Sequence, residues 1–88
     1  MDSKDIRYVK RLIYYCNRLE EHVEFFGDDK DVFLSNTHYQ DACALVFIQI
    51  GEFVGRLSDE FKAEYCEMPW QSIKVMRNKN AHNYDYIL

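Results

Sequence analysis

The sequence has few of the residues that interrupt regular structure. Among its 88 residues there are only three glycines and one proline, while hydrophobic residues make up 48%. That balance excludes a disordered, collagen-like or loop-dominated chain. No apolar run approaches the roughly 20 residues needed to cross a bilayer. We therefore expect residues 1–88 to form a single folded domain with no membrane segment.

The cysteines are few and odd in number, at positions 16, 43 and 66. They are far apart, and no C-x-x-C pair or neighbouring histidine pair accompanies them, which argues against zinc and dithiol redox chemistry. We expect three buried free thiols. The first residues also lack the basic start and apolar core of a signal peptide. Together these features predict a cytoplasmic location.

Acidic residues outnumber basic ones, 15 to 11, but positive charge is locally concentrated. The formal net charge of −4 argues against a general polyanion-binding protein, since non-specific nucleic-acid affinity depends on lysine and arginine. From Met68 to Tyr84, however, there is no acidic residue, and the cationic side chains of that stretch are Lys74, Arg77, Lys79 and His82. One segment is therefore suited to an anionic ligand.

The spacing of apolar residues predicts an all-α protein. A first helix capped by Asp2 or Ser3 and ended by Gly27 would turn one apolar stripe to the core, which Leu12 and Leu19 widen: Ile6, Val9, Ile13, Cys16, Val23 and Phe26. A second long helix begins near residues 35–37, and its seam repeats every three or four residues: Tyr39, Cys43, Val46, Ile50, Phe53 and Leu57. We expect this helix to be central, with Gly51 and Gly55 allowing another helix to approach closely.

A further helix should start around Pro69 and end near Asn80. On an unbroken helix, positions 77 and 82 would be separated by about 140°. A helix ending near Asn80 would let the chain turn and bring His82 back toward Arg77. We therefore expect the segment from Arg77 to Tyr84 to span a helix end and to carry the chemistry.

This segment also resembles a known family. Arg77-x-x-x-x-His82, with Asn78 after the arginine, resembles the signature of HEPN domains, and the longer run ending in Tyr84 is similar to the HepT-like toxin branch. Further matches to the second-helix pattern of that branch lie at residues 40–42, 50–52 and 56–58. The resemblance covers most of residues 30–84.

The resemblance implies an antiparallel helical bundle, a symmetric homodimer, and a metal-independent ribonuclease without a cofactor. The motifs of two chains would meet on an RNA substrate, and a minimal nucleotidyltransferase would be the antitoxin. Arg77 and His82 correspond to the catalytic pair, Asn78 to their polar companion, and Tyr84 to the tyrosine that the antitoxin adenylylates. Two departures stand out: Asn83 replaces the usual glycine, and we expect the family's last helix to be missing.

Elementary chemistry gives these residues the same roles. Attack of a ribose 2'-hydroxyl on its own phosphate needs a base, an acid and a cation for the developing charge. Imidazole titrates near neutral pH, and a guanidinium presents a fixed fork of donors to phosphate. A two-fold axis would place His82 of both chains at one phosphate, with one ring neutral and one charged.

Several alternatives remain open from the sequence alone. Glu52 could pair with Arg77 or with the motif of a second chain, or it could be a solvated helix acid; Lys79 could support the site by its charge. The tyrosines at 8, 14 and 15 and Trp70 favour core packing over base stacking. His22 and His38 are expected at the surface. The whole domain could also be a catalytically inactive HEPN-like module that binds a nucleotidyltransferase or nucleotide, or a purely structural helical domain.

Overall fold

The computed structural model describes the backbone of residues 2–84 and the side chains of residues 2–78. This part of the chain forms five α-helices and no strand: α1 Ser3–Phe26, α2 Lys30–Ser35, α3 Thr37–Arg56, α4 Asp59–Glu64 and α5 Trp70–Tyr84. The predicted all-α class is confirmed. None of these helices is both long and apolar enough to cross a membrane.

Polar caps begin the helices where the sequence predicts them. The carboxylate of Asp2 accepts from the backbone N–H of Lys4 at 2.8 Å, and the side chain of Asn36 accepts from the N–H of Tyr39 at 3.1 Å. Each bond satisfies a backbone donor that has no partner within its own helix. Gly27 follows α1 with a φ of 114°, a conformation that favours glycine.

The third helix is the centre of the bundle, and α1 and α5 pack on it along its length. Tyr39, at the start of α3, stacks on Phe26 at the end of α1 with ring centroids 4.8 Å apart. At the other end, Ser58 follows α3 and bonds to Asp5 near the start of α1. The helices α1 and α3 are therefore antiparallel, as predicted.

The predicted seam of α3 is confirmed as its packing face. Tyr39, Cys43, Val46 and Leu57 are buried, and Ile50 and Phe53 are half-buried. Burial raises the pKa of the Tyr39 phenol and of the Cys43 thiol, because both lose water around their charged forms. Gly51, where α5 approaches, directly follows the seam residue Ile50.

The predicted core stripe of α1 is wrong at three positions. Ile6, Ile13 and Cys16 are exposed, whereas the predicted Val9, Leu12, Leu19, Val23 and Phe26 are half-buried. The packed face is rotated toward Asp5, Tyr8 and Tyr15, which take the place of the three exposed residues. Both stripes have helical spacing and carry apolar residues, so periodicity alone does not separate them. The aromatic rings decide the rotation, since Tyr8 and Tyr15 lie 6.0 and 5.9 Å from the ring of Phe53.

A buried carboxylate joins three elements at one end of the bundle. Asp5 is only 4% exposed and accepts from the backbone N–H of Ser58 at 2.9 Å and from its hydroxyl at 2.7 Å. The same hydroxyl accepts from the N–H of Phe61 at 3.1 Å and thereby caps α4. These hydrogen bonds to its charged form lower the pKa of Asp5. This polar junction fixes where α4 begins.

Two further expectations are corrected. Cys43 is buried, but Cys16 and Cys66 are exposed, because neither faces the α3 seam. The last helix does not end near Asn80: α5 continues through Tyr84. No glycine or proline interrupts residues 70–84, and asparagine can adopt a left-handed turn without being forced into one.

Candidate active site

The site begins with an unusually close approach of α5 to α3. At Gly51, an added Cβ would overlap the Cβ and Cγ of Arg77, so any larger residue would require a backbone shift. Gly51 is buried, and its missing side chain leaves the space that the start of the Arg77 side chain occupies. The prediction that this glycine permits close helix packing is confirmed. At Gly55 an added Cβ would meet nothing within 4 Å.

The guanidinium of Arg77 then reaches the next residue of α3. Its Nη1 lies 3.3 Å from Oε1 of Glu52, and the side chains are 30% and 42% exposed. Of the alternatives for Glu52, the structure therefore shows pairing with Arg77 of the same chain. Nε of Arg77 is buried and has no hydrogen-bond partner among the described residues. The arginine is held at its base by packing and at its tip by one carboxylate.

Because α5 is unbroken, positions 77 and 82 lie about 140° apart around its axis. The expectation that a chain turn brings His82 back to Arg77 within one protomer is therefore wrong. Position 78 is separated from position 82 by one helical turn, so these two share a face. Asn78 is exposed there. Position 84 is seven residues after Arg77, and it lies within about 20° of Arg77 around the axis of α5.

Three predicted site residues lie outside the described side chains. The backbone of Lys79, His82 and Tyr84 belongs to α5, and their side chains are not among those the structure describes. The structure thus brings together Arg77 and Glu52, and places Asn78 on the neighbouring, solvent-exposed surface of α5. The catalytic roles of these residues remain predictions.

A cavity adjoins Arg77 on the side of α4. Its volume is about 450 Å³, and it is lined by Gly51, Val54, Gly55, Lys62, Trp70, Gln71, Lys74 and Arg77. Lys74 belongs to the cationic segment recognised in the sequence, whereas no sequence motif includes Lys62. Lys62 comes near because the indole N–H of Trp70 donates to the backbone carbonyls of Lys62 and Tyr65, both at 3.2 Å. The Pro69-Trp70 pair after α4 was the sequence feature from which the approach of Lys62 to α5 could have been inferred.

Other aromatic and histidine residues behave mostly as expected. Tyr8, Tyr15 and Trp70 are half-buried, whereas Tyr14 is 49% exposed and contacts Tyr15 edge to face. His38 is exposed, while His22 is half-buried beside the contact between α1 and α3.

A comparison with protein families assigns the chain that carries this site to a family. The model of the family described as "Ribonuclease HepT-like" matches residues 12–87, which include Gly51, Glu52, Arg77 and the segment that follows. This chain belongs to the HepT-like ribonuclease family. The resemblance recognised in the sequence is therefore confirmed over most of the chain.

A curated relative of this HepT-like chain comes from Methanocaldococcus jannaschii and carries the name "Putative RNase MJ0127". The two are 29% identical over 85 residues, which cover 96% of this chain and 69% of the relative. No solved structure matches the HepT-like chain. Membership of a ribonuclease family supports an RNase activity for this chain.

Proposed function

We propose that this protein is the toxin of a toxin–antitoxin system, a metal-independent RNA endonuclease whose active site is completed at a homodimer interface. The match to the HepT-like ribonuclease family over residues 12–87 is the observation that carries this proposal. The geometry supports it through Arg77, which is anchored against Gly51 and paired with Glu52 while remaining 30% exposed to a ligand. A guanidinium so placed can bind phosphate oxygens.

In the proposed reaction a neutral His82 takes the proton of a ribose 2'-hydroxyl, and the 2'-oxygen bonds to the adjacent phosphorus. The bond from phosphorus to the 5'-oxygen breaks, and that oxygen takes a proton from a charged His82 of the second chain. The products are a 2',3'-cyclic phosphate and a free 5'-hydroxyl. Arg77 stabilises the charge that develops on the phosphoryl oxygens, with Asn78 as a hydrogen-bonding companion.

The helical geometry of α5 supports a site built from two chains. Arg77 and position 82 lie on different faces of α5, so a single protomer does not present both positions on the same side of the helix. The face of position 82 also carries Val75, which is 54% exposed, one turn before Asn78. An exposed β-branched apolar residue beside polar motif residues fits a surface that a second copy covers.

The interface proposal is tested by charge insertion on this face. Val75→Glu should convert a dimer to a monomer in sedimentation analysis and abolish cleavage, because a carboxylate would be buried without a partner. Leu34→Glu is the matched control, since Leu34 is 60% exposed on α2, far from α5 in the sequence. A Val75→Glu protein that stayed dimeric and active would exclude this face as the interface.

The activity itself is tested by incubating purified protein with RNA in the presence of a chelator. The parent should produce cyclic-phosphate ends, and His82→Ala should abolish them while helical circular dichroism stays unchanged. His38→Ala is the matched control, because His38 is an exposed histidine at the start of α3. Equal cleavage by parent and His82→Ala would refute the assignment. RNA binding without any cleavage would instead support the inactive binding module.

The sharing of one phosphate by two histidines has its own test. A heterodimer with one His82→Ala chain lacks either the acid or the base at the shared site and should cleave far more slowly than the parent. Equal rates for the heterodimer and the parent dimer would refute the two-imidazole mechanism.

We further propose that a minimal nucleotidyltransferase silences the enzyme by adenylylating Tyr84. Position 84 returns to the α5 face of Arg77, so an added adenylyl phosphate would place negative charge near the cation that attracts RNA. Co-expression with a cognate nucleotidyltransferase should increase the mass of the peptide containing Tyr84 and remove cleavage. Tyr84→Phe should keep the unmodified mass in the same experiment. An unmodified Tyr84 in the co-expressed parent would contradict the proposal.

A further inference from the structure

The cavity beside Arg77 has the features of a small anion-binding pocket. Its floor is the glycine-containing surface of α3 at Gly51 and Gly55, and its walls come from α4 and α5. At about 450 Å³ it falls within the range of about 300 to 1,000 Å³ that is typical of ligand sites. One nucleotide would fit in such a space, whereas a folded protein segment would not.

Among the described residues that line this cavity, every charged side chain is positive. Lys62 comes from α4, and Lys74 and Arg77 come from adjacent turns of α5. Of these, Arg77 pairs with Glu52, whereas neither lysine forms an ion pair with the carboxylates of residues 2–78. In a protein of net charge −4, three cations converge among the described lining residues, and only one of them, Arg77, is paired with a carboxylate. The two lysines leave a positive charge that favours an anionic ligand.

Other cations of the chain are arranged differently. Arg11 and Arg56 lie over the ring of Phe53, with guanidinium carbons 5.8 and 5.0 Å from its centroid, and Arg7 lies 5.5 Å from that of Tyr8. These guanidiniums already contact aromatic faces. The ammonium groups of Lys62 and Lys74 contact no aromatic face among residues 2–78, which favours the cavity as the phosphate site.

We propose that this cavity binds one RNA nucleotide next to the cleaved linkage, with its phosphate held by Lys62 and Lys74. This inference rests on the proposed ribonuclease function, because Arg77 would then contribute both to the cavity and to the reacting phosphate. RNA phosphates are regularly spaced along the strand, so a second phosphate site beside the first would fix the register of the substrate. Trp70 and Gln71 supply an apolar wall and an amide for the rest of the nucleotide.

The first test measures the affinity of the cleavage-deficient His82→Ala protein for a short single-stranded RNA as a function of salt. Lys62→Gln and Lys74→Gln, each added to that protein, should weaken binding about 3- to 10-fold at low salt. Each should also reduce the slope of log K against log salt by about 0.7, the amount expected for one lost phosphate contact. Lys30→Gln is the matched control, because Lys30 lies on α2 among three aspartates.

The second test fills the cavity without removing a charge. A Cβ at Gly55 meets no atom of the described residues within 4 Å, so Gly55→Leu should fold while its side chain occupies the floor. It should raise KM about 10-fold or more and leave kcat near the parent value. Gly55→Ala, which adds a single methyl group, should change KM by less than about 2-fold. Thermal unfolding checks that both variants are folded.

The outcomes separate this inference from the function on which it rests. The nucleotide site would be overturned by parent values of affinity and salt slope in both lysine variants together with a parent KM in Gly55→Leu, even if His82→Ala abolished cleavage. Weaker RNA binding by the lysine variants would support the site, even if the parent protein cleaved no RNA and the ribonuclease proposal failed.

Discussion

Arg77 lies so close to Gly51 that the first two carbons of its side chain fill the space where any other residue would place a Cβ. This contact sets the distance between α5 and α3 at the site. The guanidinium then extends to Glu52, the next residue of α3. The position of the catalytic candidate therefore depends on an absent side chain and on one ion pair.

Gly51→Ala should destabilise the fold by about 1 to 3 kcal/mol, because its methyl group overlaps buried carbon atoms of Arg77 and forces α5 outward. Urea unfolding would measure this change. The matched Gly55→Ala should instead be neutral or stabilising by up to about 1 kcal/mol, since alanine favours the helix and meets nothing there. Equal stability of the two variants would contradict the close approach.

Glu52→Gln should lower kcat several-fold with little change in stability. The ion pair is partly exposed, so its contribution to folding is within about 1 kcal/mol. Its loss would nevertheless free the guanidinium to occupy other orientations. Steady-state cleavage kinetics would show a fall in kcat with KM nearly constant, and Glu52→Asp should recover part of the rate. A Glu52→Gln protein with the parent kcat would show that Glu52 does not position Arg77.

Asp5 should make the stability of the fold depend on acid pH. Hydrogen bonds from Ser58 lower the pKa of Asp5 in the folded protein below its ordinary value of 3.8. The stabilisation is therefore present above about pH 4 and is lost as the pH falls through the folded pKa. Asp5→Asn should be less stable than the parent at pH 7, and the difference should shrink toward pH 3.

Unfolding midpoints measured from pH 7 to pH 3 would check this dependence. Glu20→Gln is a control carboxylate variant on the exposed surface of α1. A difference between parent and Asp5→Asn that stayed constant over this range would contradict the assigned pKa direction.

The three cysteines should react with a thiol reagent in two classes. Cys16 and Cys66 are exposed and should react in the native protein, whereas Cys43 is buried and its pKa is raised by burial. Quantifying modified thiols before and after unfolding would test this, and Cys66→Ser should remove one of the fast-reacting groups. Rapid native modification of Cys43 would contradict its position in the α3 seam.

Local sequence features predicted the helices well, because they report on interactions within a few residues. The caps at Asp2 and Asn36 are side chains that bond to a backbone N–H two or three residues later. The end of α5 was predicted wrongly, since Asn80 permits a left-handed turn but does not require one. A signal that only permits a structure carries less information than one that excludes its alternatives.

The family and its motif, with Arg77, Asn78 and His82, are recognisable from the sequence by itself. So are the all-α class and the packing face of α3, because helical periodicity and caps are local properties of the chain. Only the tertiary structure decided which stripe of α1 is buried, that Arg77 lies against Gly51, and that Lys62 and Lys74 share a cavity. These relationships join residues distant along the chain, and the shapes of the facing helices select among the pairings that local patterns allow.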